Sequence, residues 1–312
     1  MTAARSPKPM IRTGLRLFVW ALIAIALIYF GRAVAHHWSS IAAWHPGYED
    51  WAMVLAAIGL CTLNLFVQAE IWHRLVLGCQ DKAFARPITY ASYTKTQIAK
   101  YLPGNVFQFV GRHIVMAQRG AAQKGLALAS LVEIATLAGA AALLVFGGLV
   151  LGLLPQIAAL LEAVDIGWLA TAGVIMAGLA AAGLAIKLKA LPPLPSFGVM
   201  LTGLALAMVF FIGLSLVFLL ILRTVSGEGD MAVIAVVVLS WLIGYITPGA
   251  PAGIGIREFV MLFLLREHVP EPDALIAIGL FRLVTSVSDF ALFALGQLMW
   301  RDTPATAQSS GN

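Results

Sequence analysis

The sequence contains two copies of a proline-glycine pair that is followed nine residues later by an arginine. The copies are Pro103-Gly104 before Arg112 and Pro248-Gly249 before Arg257. Proline and glycine interrupt helices, and an arginine inside a bilayer is costly unless it faces a cavity or a partner. In apolar surroundings this arrangement predicts an irregular backbone that lines a polar cavity. Its recurrence predicts a duplicated fold, which is typical of transporters.

The apolar surroundings of both copies extend over most of the chain. Of the 312 residues, 61% are hydrophobic and 11% are charged, whereas an ordinary soluble domain has about 25% charged residues. This composition predicts an all-α, polytopic integral membrane protein, in which each spanning helix needs about 20 apolar residues. The predicted spanning helices are residues 15–35, 51–78, 126–152, 165–187, 197–223 and 274–299.

Two further apolar segments, residues 87–119 and 231–268, are too broken to span the bilayer simply. Each is predicted to form a re-entrant helical hairpin. The residues assigned to the breaks are Pro103, Gly104, Pro248, Gly249, Gly253 and Gly255. Basic residues flank the first hairpin and acidic residues flank the second, so we expect the two hairpins to enter the membrane from opposite sides.

The predicted segments group into two inverted repeats, each with three spanning helices and one re-entrant hairpin. The first repeat covers residues 15–152, and the second covers residues 165–300. Because the first repeat crosses the membrane three times, an odd number, the second repeat begins on the opposite side and is inverted relative to the first. Residues 1–14 are predicted to form a cytoplasmic tail, and residues 301–312 a flexible tail.

The formal net charge of +5 comes from short loops beside the apolar segments, not from a continuous basic tract. It therefore indicates membrane orientation and no nucleic-acid partner. The basic loops, at residues 1–16, 74–124 and 187–189, are predicted to be cytoplasmic, as are both termini. A signal peptide also begins with basic residues, but the apolar run 15–34 is longer than its usual core, so we expect a retained first helix.

Three arginines within apolar sequence are candidates for binding a lipid headgroup. Arg112, Arg257 and Arg282 are chosen because a guanidinium fork suits phosphate oxygens and an intramembrane arginine usually faces a cavity. Two structural alternatives stay open, an ion pair of Arg257 with Glu258 and one of Arg282 with Glu133. Arg112 has a further alternative, since its side chain could extend to the cytoplasmic surface.

The carboxylates Glu133, Glu258 and Asp289 are assigned to charge compensation or coupling, because an unpaired carboxylate in a membrane helix is costly. Lys100, just before the first break, is a fourth candidate for headgroup binding. It could guide a lipid phosphate into the mouth of the hairpin. The alternative is an interfacial helix whose lysines contact anionic lipids.

Signatures of enzymes are absent from the sequence. HExxH, GxSxG, Walker and cysteine-histidine metal motifs do not occur. Cys61 and Cys79 fall on one predicted helix, about 27 Å apart along its axis, so they cannot form a disulfide with each other. We therefore expect no catalytic residue, no metal and no cofactor.

Two motifs resemble those of the flippase-like family, which includes the membrane half of lysylphosphatidylglycerol synthase. They are Lys100-Tyr-Leu-Pro-Gly-Asn followed by Arg112, and Pro248-Gly-Ala-Pro-Ala-Gly-Ile-Gly-Ile-Arg-Glu258 followed by Leu280-Phe-Arg282. The resemblance extends over about residues 50 to 300. It implies a multi-pass protein of the bacterial inner membrane that moves an anionic or polyprenyl-linked lipid between leaflets.

The resemblance also implies functional residues, because Arg112, Arg257, Glu258 and Arg282 match positions in the family's motifs. The chain departs from the family after the first hairpin, where the family often has Glu-Arg and a nearby Asp. Here Glu133 is followed by isoleucine. The soluble aminoacyl-transferase half of the synthase lies outside the resemblance, so we do not expect this chain alone to aminoacylate lipids.

The sequence thus predicts a lipid translocase whose two hairpins meet near the midplane around a polar headgroup cavity, while the lipid tails stay in the bilayer. Arg257 and Arg282 would hold the phosphate, with Arg112 and Lys100 at the cytoplasmic mouth. The expected partner is an anionic or polyprenyl-phosphate lipid. Two alternatives are a membrane subunit that presents a lipid to a separate glycosyl- or aminoacyl-transferase, and an embedded enzyme acting on lipid phosphate, against which the lack of a nucleophile-base pair argues.

Overall fold

A computed structural model describes residues 28–102, 106–163, 194–247 and 251–301. Every regular element within these ranges is helical. Residues 28–36 are helical, and the helices after them are α1 (Trp38–Ala42), α2 (Tyr48–Cys79), α3 (Arg86–Gln97), α4 (Phe107–Ala117), α5 (Gln123–Val150), α6 (Pro155–Ala163), α7 (Phe197–Ser226), α8 (Ala232–Ile246), α9 (Ile256–Leu265) and α10 (Glu271–Arg301). Two 3₁₀ turns, Ile98–Tyr101 and Pro251–Gly253, lie between helices.

Four of the described helices are long and apolar enough to cross a membrane. They are α2, α5, α7 and the part Glu271–Leu298 of α10. These helices match the spans predicted at residues 51–78, 126–152, 197–223 and 274–299. The predicted span 15–35 lies mostly outside the described residues, and the span 165–187 lies entirely outside them. The fold is therefore that of an all-helical, multi-pass membrane protein.

Local sequence explains where the long helices begin and end. At the start of α2, the Asp50 carboxylate accepts a hydrogen bond from the Gly47 N–H at 2.7 Å, which also places negative charge at the positive end of the helix dipole. At the start of α7, the Ser196 hydroxyl accepts from the Val199 N–H at 3.4 Å. The same helix ends at Gly227, whose φ of 73° is the left-handed conformation common after helices.

The long helices form a bundle in which α2 contacts α5, α7 and α10, and α7 contacts α5 and α10. Small residues allow close approach. A Cβ atom added to Gly148 of α5 would lie 2.7 Å from Ala235 Cβ of α8, and one added to Gly213 of α7 would lie 2.5 Å from Asn64 Oδ1 of α2. The Asn64 amide also donates to the Phe210 carbonyl at 2.9 Å, so polar and small residues both tie the bundle together.

Two pairs of short helices complete the bundle. The first pair is α3 and α4, with 12 and 11 residues, and the second is α8 and α9, with 15 and 10 residues. Every one of these helices is too short to cross a hydrocarbon core that needs about 20 residues. The members of each pair contact each other, and the turn Ile98–Tyr101 contacts the turn Pro251–Gly253.

The order of a long helix, two short helices and a long helix occurs twice, over α2 to α5 and over α7 to α10. The predicted break residues Pro103, Gly104, Pro248 and Gly249 lie outside the described residues. Gly253 and Gly255 are described, with φ values of 71° and 86°. The inverted orientation of the two sets, their re-entrant insertion and the boundaries 15–152 and 165–300 stay predictions, as do the tails 1–14 and 301–312.

Candidate functional site

A cavity of about 100 Å³ lies among both short-helix pairs and the long helices α2, α5, α7 and α10. Its charged lining residues are Lys100, Arg112, Glu133, Arg257, Arg282 and Asp289. All six were candidate site residues in the sequence, although they are up to 189 positions apart. The fold therefore brings Arg112 and Arg257, the arginines of the two repeated motifs, to one place.

Arg112 of α4 lies in an almost completely buried ion pair. One terminal nitrogen, Nη1, donates to both carboxylate oxygens of Glu133 at 2.9 and 2.8 Å, and Nη2 donates to the Gln97 side-chain oxygen at 2.8 Å. The side chain of Arg112 is 2% exposed and that of Glu133 is 3% exposed. The alternative in which Arg112 extends to the surface is therefore wrong, and so is the ion pair of Glu133 with Arg282.

Aromatic rings surround the Arg112 guanidinium. Its central carbon lies 3.9 Å from the ring centre of Tyr93, 5.2 Å from that of Trp72 and 5.4 Å from that of Phe109. The Tyr93 hydroxyl donates in turn to the Gln68 side chain of α2. With its terminal nitrogens bonded and its faces covered, Arg112 has little room for a ligand.

Lys100 connects the first 3₁₀ turn to α10. Its Nζ atom donates to Asp289 Oδ1 at 2.7 Å, and the neighbouring Tyr101 hydroxyl donates to Asp289 Oδ2 at 2.7 Å. Both carboxylate oxygens are therefore satisfied, which explains how Asp289 can be 1% exposed. Lys100 remains 21% exposed, so an incoming anion can approach it.

Glu258 holds two groups at the start of α9. One of its oxygens accepts from the Gly255 N–H at 2.7 Å, which caps the helix. The other accepts from Nε of Arg282 on α10. The remaining nitrogens of Arg282 donate to the carbonyl oxygens of Ala252 and Gly253 at 3.4 and 3.2 Å. The alternative ion pair of Arg257 with Glu258 is therefore wrong.

Strained backbone presents these two carbonyl groups to Arg282. Ala252 has a φ of 50°, which is uncommon for a residue with a Cβ atom, and Gly253 follows at 71°. Left-handed conformations outside glycine persist where the surroundings require them and are frequent at ligand sites. The turn Pro251–Gly253 therefore contributes backbone carbonyl groups to the site, within the segment where the sequence predicts an irregular backbone.

Arg257 differs from the other three cations in having no carboxylate within 4.0 Å among the described residues. Its side chain is held in a notch between two glycines. A Cβ atom added to Gly244 would lie 2.5 Å from Arg257 Cγ, and one added to Gly253 would lie 2.6 Å from Arg257 Nε. The guanidinium carbon lies 5.4 Å from the Trp241 ring centre, and Nε is enclosed without a hydrogen-bond partner in the described part of the chain.

The charged side chains that line the cavity, taken together with Glu258, which contacts Arg282, carry one surplus positive charge. The described cations are Lys100, Arg112, Arg257 and Arg282, and the described carboxylates are Glu133, Glu258 and Asp289. Four positive charges against three negative charges leave a net charge of +1. Every carboxylate has its own cation, so the surplus is located on Arg257. Arg257 is partly buried, and a partly buried charge without a counter-charge is costly, so this site is suited to an anion.

The sequence did not indicate several neutral residues that line the cavity. They are Gln68, Tyr93, Gln97, Tyr101, Gln108, Trp241 and Tyr245. A usable signal was present in α3, which has many polar residues although it lies between apolar segments. Within the described ranges, no three metal-ligating side chains cluster, and this arrangement offers polar contacts and charge for an anion.

A model of the family described as "Lysylphosphatidylglycerol synthase TM region" matches residues 13–292. The match includes all the charged residues of the cavity. A comparison with curated proteins found no significant match.

Proposed function

The chain belongs to the family of lysylphosphatidylglycerol synthase TM regions, and from this membership and the surplus charge of its cavity we propose that it is a lipid translocase. It moves an anionic or polyprenyl-phosphate-linked lipid between the leaflets of the bacterial inner membrane. The headgroup enters the cavity, whose lining carries six charged side chains, while the apolar tails stay in the bilayer.

The observation that carries this proposal is the unpaired guanidinium of Arg257. In a membrane interior an isolated charge is expensive and marks a substrate pathway more often than a structural position. Phosphate oxygens are the natural partners of a guanidinium fork. A translocase needs such a site inside the bilayer, since a charged headgroup crossing without a counter-charge would meet the same cost.

The other cations have different roles in this proposal. Lys100 and Arg282 are partly exposed, at 21% and 24%, and can contact a bound phosphate beside Arg257. Arg112 stays in its ion pair and supports the cavity wall. Glu133, Glu258 and Asp289 compensate charge when the cavity is empty. We do not assign catalysis to any residue.

The test is lipid movement in vesicles that contain the purified protein and fluorescently labelled phosphatidylglycerol. We expect wild type to expose inner-leaflet label to an external quencher. Arg257→Gln should abolish the movement, and Arg257→Lys should reduce it strongly, because a lysine keeps the charge but lacks the fork. Arg266→Lys and Arg266→Gln are matched controls, since Arg266 follows the last residue of the same helix and is exposed.

Movement by both Arg257 variants at the wild-type rate would contradict the role of Arg257. A wild-type protein that moves neither labelled phosphatidylglycerol nor a labelled polyprenyl phosphate would contradict the translocase itself.

A second function is favoured by the family's description, which names a synthase. In this case the chain is a membrane subunit that binds a lipid in the same cavity and presents it to a separate glycosyl- or aminoacyl-transferase. Purification from native membranes in mild detergent distinguishes the two. A transferase recovered in stoichiometric amount, together with no lipid movement by the isolated chain, would support the presenting subunit.

A further inference from the structure

We propose that the cavity selects a headgroup with one net negative charge, so that the phosphate it binds is a phosphodiester and not a phosphomonoester or a diphosphate. This inference rests on the proposed function. It narrows the substrate class, because it excludes lipids with a terminal phosphate or a diphosphate and keeps phospholipids or polyprenyl-phosphate-linked headgroups whose phosphate is a diester.

The first argument is the charge of the cavity. Its surplus of one positive charge is neutralised by one negative charge on the ligand. A second negative charge would face the carboxylates of Asp289, Glu133 and Glu258 without a free cation to compensate it. At an effective dielectric constant of about 20, one unit charge a few ångströms from another changes an affinity by about tenfold or more.

The second argument is the set of donors that remain free. Nε of Arg257 is enclosed against Gly253 and has no partner among the described residues, so its two terminal nitrogens are the donors of Arg257 that remain for a ligand, and Arg257 is the cavity cation that no carboxylate neutralises. Two parallel donors match the two non-bridging oxygens of a phosphodiester. The third such oxygen of a phosphomonoester would need a further cation. The other three cations of the cavity, Lys100, Arg112 and Arg282, are already neutralised by Asp289, Glu133 and Glu258.

Exchanging the existing ion pairs is an unfavourable way to hold a second charge. A dianion could take Lys100 away from Asp289 or Arg282 from Glu258. Either exchange would leave a carboxylate in the protein interior without its cation, and such a group is costly to bury. The geometry therefore penalises the dianion whichever cation it recruits.

The experiment compares three short-chain probes in neutral detergent. They are dihexanoyl phosphatidylglycerol, a phosphodiester with one negative charge; dihexanoyl phosphatidic acid, a phosphomonoester with nearly two charges at about pH 8; and dihexanoyl phosphatidylcholine, which has no net charge. Binding is measured by the ligand-dependent rise of the unfolding temperature. We expect wild type to bind the phosphatidylglycerol probe about tenfold more tightly than either of the others.

Charge variants test the cause of this preference. Asp289→Asn raises the surplus to +2, because four cations then face two carboxylates, and should shift the preference toward phosphatidic acid. The double variant Lys100→Met/Asp289→Asn has three cations and two carboxylates, returns the surplus to +1 and should restore the preference for phosphatidylglycerol. Glu258→Gln also raises the surplus charge of the cavity to +2, and it replaces Asp289→Asn in the experiment if that variant does not fold. The amide oxygen of the glutamine can still accept the hydrogen bond that caps α9.

Wild type that binds phosphatidic acid as tightly as phosphatidylglycerol, or more tightly, overturns the proposal. A double variant that behaves like Asp289→Asn overturns it as well, because the preference would then not follow the charge sum. Failure of the proposed function is a different result. In that case the protein moves no lipid in vesicles, whichever of the three probes it binds in detergent.

Discussion

A single terminal nitrogen of Arg112 contacts both carboxylate oxygens of Glu133, at 2.9 and 2.8 Å, deep inside the protein. The second half of the site contains a counterpart with the charges exchanged, since Glu258 on α9 contacts Arg282 on α10. Each pair thus joins the second short helix of a pair to the long helix that follows it. The first pair is enclosed by aromatic rings, whereas the second remains partly exposed beside Arg257.

The Arg112 and Glu133 pair should make a large, non-additive contribution to stability. Arg112→Gln and Glu133→Gln each leave one buried charge without its partner, and each should destabilise the fold by about 3 to 5 kcal/mol. The double variant should cost less than the sum. A double-mutant cycle on thermal unfolding in detergent measures the coupling.

The matched control is the same cycle on Glu133 and Arg282, which do not form a pair in the structure. Its coupling energy should be near zero. A large coupling between Glu133 and Arg282, together with none between Glu133 and Arg112, would contradict the pairing described here.

Gly244→Ala should displace Arg257 without removing it. The added Cβ would lie 2.5 Å from Arg257 Cγ and 2.9 Å from its Nε, so the side chain must leave its notch. We expect lipid movement in vesicles to fall about tenfold, while the overpacking costs about 1 to 3 kcal/mol of stability. Better helix propensity of alanine offsets part of that cost.

Gly279→Ala is the control for this substitution, because Gly279 lies in α10 and an added Cβ meets nothing within 4 Å. It should leave both stability and lipid movement near wild type. Equal lipid movement by Gly244→Ala and Gly279→Ala would show that the notch does not position Arg257.

Membrane orientation should follow the basic loops. Residues 74–124 carry eight basic residues against the single acid Asp81, and two of the eight, Lys100 and Arg112, line the cavity. The other six predict that the ends of this segment are cytoplasmic. Single cysteines at positions 81, 158 and 228 are placed in a background in which Cys61 and Cys79 are replaced by alanine. An impermeant maleimide added outside should label positions 158 and 228, and position 81 only after permeabilisation. The reverse pattern would refute the orientation.

Much of the fold follows from the sequence because a bilayer tolerates few arrangements. Long apolar runs become spanning helices, and α2, α5, α7 and α10 lie within a few residues of their predicted bounds. Charged residues within apolar sequence must find partners or a cavity. That requirement made Asp289 a candidate, and the position of Lys100 just before the first break made it another, although the two are 189 positions apart.

The partners of those charges were harder to predict. Arg257 and Glu258 are consecutive, and consecutive residues on a helix point about 100° apart and do not face each other. This rule already argued against their pairing. The choice of Arg112 as the partner of Glu133 depends on how α4 docks onto α5, which is a property of the tertiary packing and leaves no trace in local sequence.

The role of the tyrosines was also missed. Tyr93 and Tyr101 lie in the segment for which an interfacial helix stays open as the alternative to headgroup binding, and amphipathic aromatic side chains are common at membrane surfaces. In the structure Tyr93 is buried at 1% exposure, and Tyr101 bonds to Asp289. Burial of Tyr93 depends on the packing of α10, from the second half of the chain, against α3, which composition does not reveal.

The turn Ile98–Tyr101 touches the turn Pro251–Gly253, so two interruptions of the helical backbone, one from each half of the chain, lie in contact. Lys100 belongs to one turn, and the carbonyl groups that hold Arg282 belong to the other. The groups that would meet a headgroup are therefore supplied by both halves of the chain at a place where the two halves touch.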